Sequence, residues 1–437
     1  MHRAAKPSVP DRVVIHRRLA GSFLRALSRR ALLLRLLASW PAAASAAAAI
    51  AVPAVDPAPF RIQLDTIQRG YDGRTCWVHP RAGAIPGATP TVVLTMQKLL
   101  LTGSDVFFAL NEMRSENLGK TWAGPLEHTA TLGRRNEPAG VVVAICDFTP
   151  KWHAKSGKLL GIGQTVRYRN DRVIENRDRE TGWSVYDPAT RTWTPWATLE
   201  MPDQEKFQSA GAGSVQRVDL PDGDILLPIY FRNKTQKAYR STVLRCGFDG
   251  TRLVYRGHGS ELLVEIDRGL YEPSLTRFQN RYFLTLRNDR AGYVAASDDG
   301  QHFSEPRKWL WDDGTDLGNY NTQQHWVTHR DALFLVYTRR GANNDHVFRH
   351  RAPLFIAQVD PVALRVVRRT ERVLVPDRGA RLGNFGVTEV SENETWVTVA
   401  EWMQKAGPDI IIRPDNKYGA DNSVYAARLL WAKPNRE

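Results

Sequence analysis

The chain has 437 residues and a formal net charge of +14 at pH 7, from 60 Lys and Arg against 46 Asp and Glu. Residues 1 to 35 hold nine of those cations and one Asp, a net +8, so the remainder carries about +6. That modest excess, without a basic stripe, argues against a nucleic-acid binder. Cys76, Cys146 and Cys246 show no C-x-x-C spacing, so they support no metal or redox site, and no cofactor is expected. One disulfide beside a buried thiol, or three buried thiols, accounts for them.

At the N-terminus, Ser28-Arg29-Arg30-Ala31-Leu32-Leu33 precedes a short apolar stretch rich in alanine that runs to Ile50. A twin-arginine pair ahead of such a run, too short and too small in side chain to span a bilayer, reads as an export signal. Residues 1–52 are therefore expected to be a twin-arginine type signal peptide with its linker, an uncleaved amphipathic anchor being the alternative. Residues 53–437 are expected to form a single domain that is periplasmic or secreted, with no stable membrane insertion after cleavage.

Past the leader, helical periodicity is not sustained anywhere, and short β-branched or aromatic runs alternate with turn residues. Gln216 to Leu220 and Asp224 to Tyr230 flank Pro221-Asp222-Gly223, the pattern of a hairpin. The unit returns at Ser274 to Arg287 around Gln279-Asn280, at His325 to Tyr337 around Arg330-Asp331, and at Thr388 to Trp402 around Glu392-Asn393. Hairpins recurring every fifty to sixty residues imply a radially repeated antiparallel sheet, an all-β propeller of six blades with seven possible. A sandwich would not need so many similar hairpins, and the short repeats of a β-helix are absent.

Ser115-Glu116-Asn117-Leu118-Gly119-Lys120-Thr121-Trp122 resembles the Asp-box, or BNR, turn of sialidases, with Asn117 where the aspartate usually stands. Ser297 to Phe303 is a degenerate relative and Ser391 to Trp396 a weaker one. Such turns cap backbone N–H groups with a polar side chain and pack an aromatic ring between sheets. They identify a scaffold and name no chemistry.

The resemblance to the sialidase-like β-propeller superfamily implies an acidic-sugar site, which can be laid on this chain in order. Arg81, in His79-Pro80-Arg81, resembles the arginine that opens the sialidase first blade, ahead of the first Asp-box, and Asp105 falls where the acid/base aspartate would lie. Glu272, in Tyr271-Glu272-Pro273, is followed fifteen residues later by Arg287 on the expected partner strand, as in sialidases. Arg351 resembles the third arginine. Arg81, Arg287 and Arg351 would bind a carboxylate, Asp105 and Glu272 would serve as acid/base, and Tyr271 and His325 would line the site. The segment Gly383-Asn384-Phe385-Gly386 departs from the family, because Phe385 stands where the nucleophilic tyrosine is expected. The expected activity is thus a sialidase-like glycoside hydrolase of altered chemistry acting on an acidic oligosaccharide or polysaccharide. A uronate lyase using His, Tyr and Arg is the alternative, with His79, His325 and His346 as bases and Tyr230 and Arg245 on adjacent strands. A non-catalytic glycan-binding propeller is the third possibility, in which Trp309-Leu310-Trp311 would suit sugar stacking.

Overall fold

The chain's first described strand, Phe60–Arg69, pairs antiparallel with its last, Ser423–Trp431, beginning at Phe60 opposite Trp431. The two ends of the domain are therefore stitched into one sheet with Glu394–Ala400 and Gly386–Ser391. The computed structural model describes residues 60–103, 105–404 and 411–436, which belong to one compact unit, Val55–Glu437. The expected leader, residues 1–52, lies outside the described residues.

Among the described residues, six antiparallel sheets follow one another in a propeller-like arrangement. After the strand that joins the closing sheet, the first sheet runs through Thr75–Ile85, Thr91–Leu100, Phe107–Ser115 and Ala123–Glu127. The second is built on Val141–His153 and Lys158–Arg169, and the third on Ile225–Arg232 and Arg240–Phe248. The fourth begins with Tyr271–Phe278 and the fifth with His325–His329. The four expected hairpins all form in the expected pairing. Among the described residues, helical structure is limited to three single 3-10 turns, and no helix is long and apolar enough to cross a membrane.

The strands are apolar on both faces because each sheet is covered by its neighbours. Val327, Phe334 and Ile356 of the fifth sheet pack on Val397, Val399 and Leu429 of the closing sheet. Leu160 and Ile162 of the second sheet pack on Ile225, Leu227 and Leu244 of the third. Burying apolar surface between successive sheets is what holds a radial array together. Trp309 and Trp311, expected as sugar-stacking residues, belong to such a layer at 0% and 3% exposure, so their large apolar surface is spent on the core. Cys76, Cys146 and Cys246 are three buried free thiols, so the disulfide alternative does not hold.

The quoted turns hold themselves by side-chain capping. Ser115 Oγ accepts the Gly119 N–H at 2.8 Å, and Asn117 Oδ1 accepts the Thr121 N–H at 2.9 Å. An amide oxygen here takes the place of a carboxylate, while Trp122 tilts against Trp396 of the closing sheet at 6.2 Å. In the second turn Ser297 Oγ accepts from Gly300 at 2.9 Å and Asp299 Oδ1 from the His302 N–H at 2.8 Å.

Candidate functional site

Several inner strands lose register near the centre. Thr75–Ile85 slips between Val78 and Arg81 with His79 at φ 54°, and Val141–His153 slips between Cys146 and Thr149 with Asp147 at φ 52°. Tyr271–Phe278 slips between Tyr271 and Ser274 with Glu272 at φ 46°. Ser214 and Asn321, entering the third and fifth sheets, sit at φ 57° and 47°. Non-glycine residues seldom occupy this region, and a bulge re-aims the side chain it carries. The result is a set of polar side chains turned toward one another.

Arg81 is the hub of that set. Its Nη2 donates to Ser214 Oγ at 2.8 Å and to Gln323 Oε1 at 3.1 Å, and lies 3.5 Å from Asp147 Oδ1. Its Nε donates to the Phe385 carbonyl at 3.4 Å, so one guanidinium joins its own strand to Asp147 of the second sheet and to the connecting segments that carry Ser214, Gln323 and Phe385. The side chain is 1% exposed, and Nη1 alone has no partner. Gly386 makes room for it, because a Cβ there would sit 2.8 Å from Arg81 Cγ.

Asp147 also accepts from Ser214 Oγ at 2.8 Å and from Gln164 Nε2 at 3.0 Å, and faces His79 Nε2 at 3.4 Å. Burial would raise its carboxyl, but His79, Arg81 and these donors hold it well below the usual carboxylate range. Burial pulls His79 down to about 4 despite Asp147, so the ring is neutral near pH 7. Its Nδ1 is buried without a partner.

Beside this hub, Arg287 Nη1 donates to Glu272 Oε2 at 2.6 Å and Nη2 donates to Asn321 Oδ1 at 2.7 Å. Burial works against the cation, yet Glu272 raises Arg287 above its ordinary value. Arg351 reaches Asn384 Oδ1 at 3.4 Å, and Gly383 is where its stem passes, 2.6 Å from an added Cβ. Burial first, then Arg287, Arg381 and Arg349, push Arg351 well below its ordinary value. Arg381, stacked on Trp402 at 4.4 Å, is brought down to about 10 by burial despite Asp105. Among the described residues, Arg349, Arg351 and Arg381 form no ion pair, and the Nε atoms of Arg287, Arg351 and Arg381 are buried without partners.

The structure thus gathers Arg81, Glu272, Arg287 and Arg351 in one centre: Glu272 acts electrostatically on all three arginines and on His79. Asp105 is exposed, at φ 50°, with its carboxylate close enough to act on His79 and Arg381. Tyr271 places its ring 4.7 Å from the Arg287 guanidinium, but its hydroxyl donates to Asp289 at 2.8 Å and burial pushes it up to about 12. His325 has both ring nitrogens engaged, by Ser274 Oγ at 2.6 Å and Gln323 Nε2 at 2.8 Å, which leaves none for a ligand.

Other candidate groups lie apart. Arg245 pairs with Leu226 in register while Tyr230 pairs with Ser241, so the two are separated along their strands. Arg245 is bound to Asp222 and Asp224, and Asp224 also holds Arg256, beside a hollow of about 580 Å³. His346 stacks on Tyr418 at 4.1 Å and contacts Asp377 at 2.8 Å. Asp147, Ser214, Gln323, Asn384 and Arg381 were not marked by the resemblance. A lone acid inside the apolar run Val141 to Phe148 was the available signal for Asp147.

No protein-family model and no curated protein matches the chain. Solved structures do. A protein of unknown function from Dyadobacter fermentans is 13% identical at TM-score 0.59, over 85% of this chain and 99% of that one. Hadza microbial sialidase Hz136 is 11% identical at TM-score 0.58, over 84% and 68%. Trypanosoma rangeli sialidase, in complex with the inhibitor DANA, is 12% identical at TM-score 0.54, over 85% and 60%. These likenesses establish a sialidase-like β-propeller fold.

Proposed function

We propose that this chain is an exported, six-bladed, sialidase-like glycoside hydrolase acting on an acidic sugar, each of the six sheets serving as a blade. The observation that carries the reading is the convergence of Arg287, Arg349, Arg351 and Arg381, of which only Arg287 has an ion-pair partner among the described residues. Like charges depressing one another inside a protein are stabilised by an anion, and a carboxylate fits guanidinium forks bidentately. Arg287 and Arg351 would carry most of that contact, with Arg81 contributing through its free Nη1. Asp105, at the exposed edge, would transfer the proton. Phe385 supplies no hydroxyl, so attack would come from a water activated by Asp105 or Glu272 rather than from a tyrosine.

Uronate lyase chemistry is the second reading, favoured by one observation. His79 is kept neutral beside Asp147 and Arg81, with Nε2 3.1 Å from Asn384 Nδ2, and a neutral imidazole is the state required of a base that removes a carbon-bound proton. Incubation with sialosides and with uronate polymers, following reducing ends and ultraviolet absorbance together, separates the two. New reducing ends without absorbance support hydrolysis. Absorbance from a new double bond supports elimination, and binding without either product leaves a glycan-binding propeller.

A further inference from the structure

A second group of arginines stands beside the centre, joined to it by a wall of tyrosines. Tyr230, Tyr239 and Tyr271 contact one another at ring separations of 5.2, 6.1 and 6.3 Å. Arg287 lies 4.7 Å from the Tyr271 ring at one end. At the other end Arg179 lies 4.8 Å from Tyr230, and Arg232 lies 4.6 Å from Tyr239.

Arg179 is 9% exposed, and its Nε has no partner, as is also true of Arg177 Nε. Arg179 Nη1 donates to the Tyr239 hydroxyl at 3.3 Å, Arg177 to the Ile174 carbonyl at 3.1 Å, and Arg232 to Asn176 Oδ1 at 3.3 Å. None of the three has an ion-pair partner among the described residues. The neighbouring acids are turned elsewhere, Glu180 to Arg167 at 2.8 Å and Asp178 to Gln208. Arg177, Arg232, Ser209 and Lys234 line a small hollow at this place. Although burial works to raise the Tyr239 phenol, Arg179 and Arg232 beside it bring it down to about 8.

We infer that Arg177, Arg179 and Arg232 form a second anion subsite, which takes a second carboxylate or sulfate group of the same acidic glycan. The inference rests on the acidic-sugar reading of the centre and narrows its substrate to a polyanionic chain rather than a sugar with one terminal acid. Guanidinium forks with free N–H groups bind either oxyanion. The tyrosine wall fixes the direction in which successive residues of that chain would run.

The test uses the protein labelled with ¹⁵N at arginine, titrated with sodium sulfate and, in a second arm, sodium acetate. The comparison proteins are the double variant Arg177→Gln/Arg232→Gln, whose half-buried positions carry no ion pair among the described residues, and Arg287→Gln. Two saturable sets of Nε–H shifts are expected in the unaltered protein, the double variant losing one and Arg287→Gln the other. The anion with the tighter response names the group taken. In a third arm, a di-acidic oligosaccharide should bind the double variant about tenfold more weakly, roughly the loss of one charge-assisted hydrogen bond, while a mono-acidic sugar is unaffected. A double variant that responds to both anions like the unaltered protein, or equal losses for both sugars, overturns the subsite. If Arg287→Gln alone responds like the unaltered protein, the reading of the centre falls while the second anion site stands.

Discussion

Arg287 and Glu272 face each other at 2.6 Å across the ends of two paired strands, with Asn321 holding the other side of the same guanidinium at 2.7 Å. Tyr271 is the residue opposite Arg287 in register, and the bulge that follows is what swings Glu272 into reach. The pair is nearly closed to solvent, at 9% and 12% side-chain exposure, so its members are not interchangeable with surface charges.

Glu272→Gln is expected to fold, since an amide oxygen still accepts from Arg287. It removes the carboxylate nearest the arginines, so affinity for an acidic sugar should hold or rise while turnover falls. Arg287→Ala should weaken the same sugar by about 2 kcal/mol, roughly 30-fold, and cost stability because Glu272 is left buried. Calorimetric binding and initial rates on both variants check this. Unchanged binding in Arg287→Ala removes that residue from the site.

Arg81 predicts a structural effect as well as a functional one. Arg81→Ala deletes the bonds to Ser214, Gln323 and the Phe385 carbonyl and leaves Asp147 with less positive charge, so a loss of about 3 to 5 kcal/mol is expected in denaturant titrations. Gly386→Ala should cost about 1 to 3 kcal/mol by crowding the Arg81 stem. In the Arg81→Ala background that cost should fall in part, because Cγ at 2.8 Å is removed while Cβ at 3.1 Å and Cα at 3.2 Å remain. Additive losses would show that Gly386 is required for another reason.

Much of this arrangement was legible in the residues. The four hairpins were marked by their turns, and Glu272 with Arg287 by a spacing that a hairpin converts into contact. Arg381 and Asn384 were not legible, because their approach to Arg351 and His79 depends on sheets distant in sequence closing around a ring. The bulges at His79 and Asp147 were hidden for a different reason: His and Asp carry no mark, as glycine would, of the positive φ they adopt. Trp309 and Trp311 misled because large aromatic rings serve cores and sugar platforms alike.

Acid should destabilise the fold well before ordinary carboxylates titrate. His79 is drawn down to about 4 and His325 to about 3, chiefly by burial, whereas an unfolded imidazole protonates near 6.5. Between those values the unfolded chain binds more protons, so stability falls as pH drops from about 6.5 toward 4 and is flat above. Asp147, held below its ordinary range, adds to the same direction, since its contribution is present above about 3.8 and is lost as pH falls further. Each histidine contributes at most about 1.4 kcal/mol per pH unit over its window. Denaturant midpoints from pH 4 to 8 should rise and then level, and His325→Gln should flatten the rise. A midpoint independent of pH below about 6 would contradict the neutral buried state of these rings.

Restoring the hydroxyl at Phe385 should not restore a two-step route. The ring is 0% exposed, packed with Val327, Phe334 and Val397, and meets His325 edge-on at 5.0 Å, while its carbonyl rather than its side chain serves Arg81. Phe385→Tyr therefore inserts a phenolic hydroxyl into an apolar layer, with an expected loss of about 1 to 3 kcal/mol if it finds no partner. No gain in sialoside cleavage is expected, and mass spectrometry after incubation with a difluorosialic acid should show no adduct. An adduct on Tyr at this position would mean that the segment from Gly383 to Gly386 can turn its side chain into the centre, and the water-attack route would give way to a covalent one.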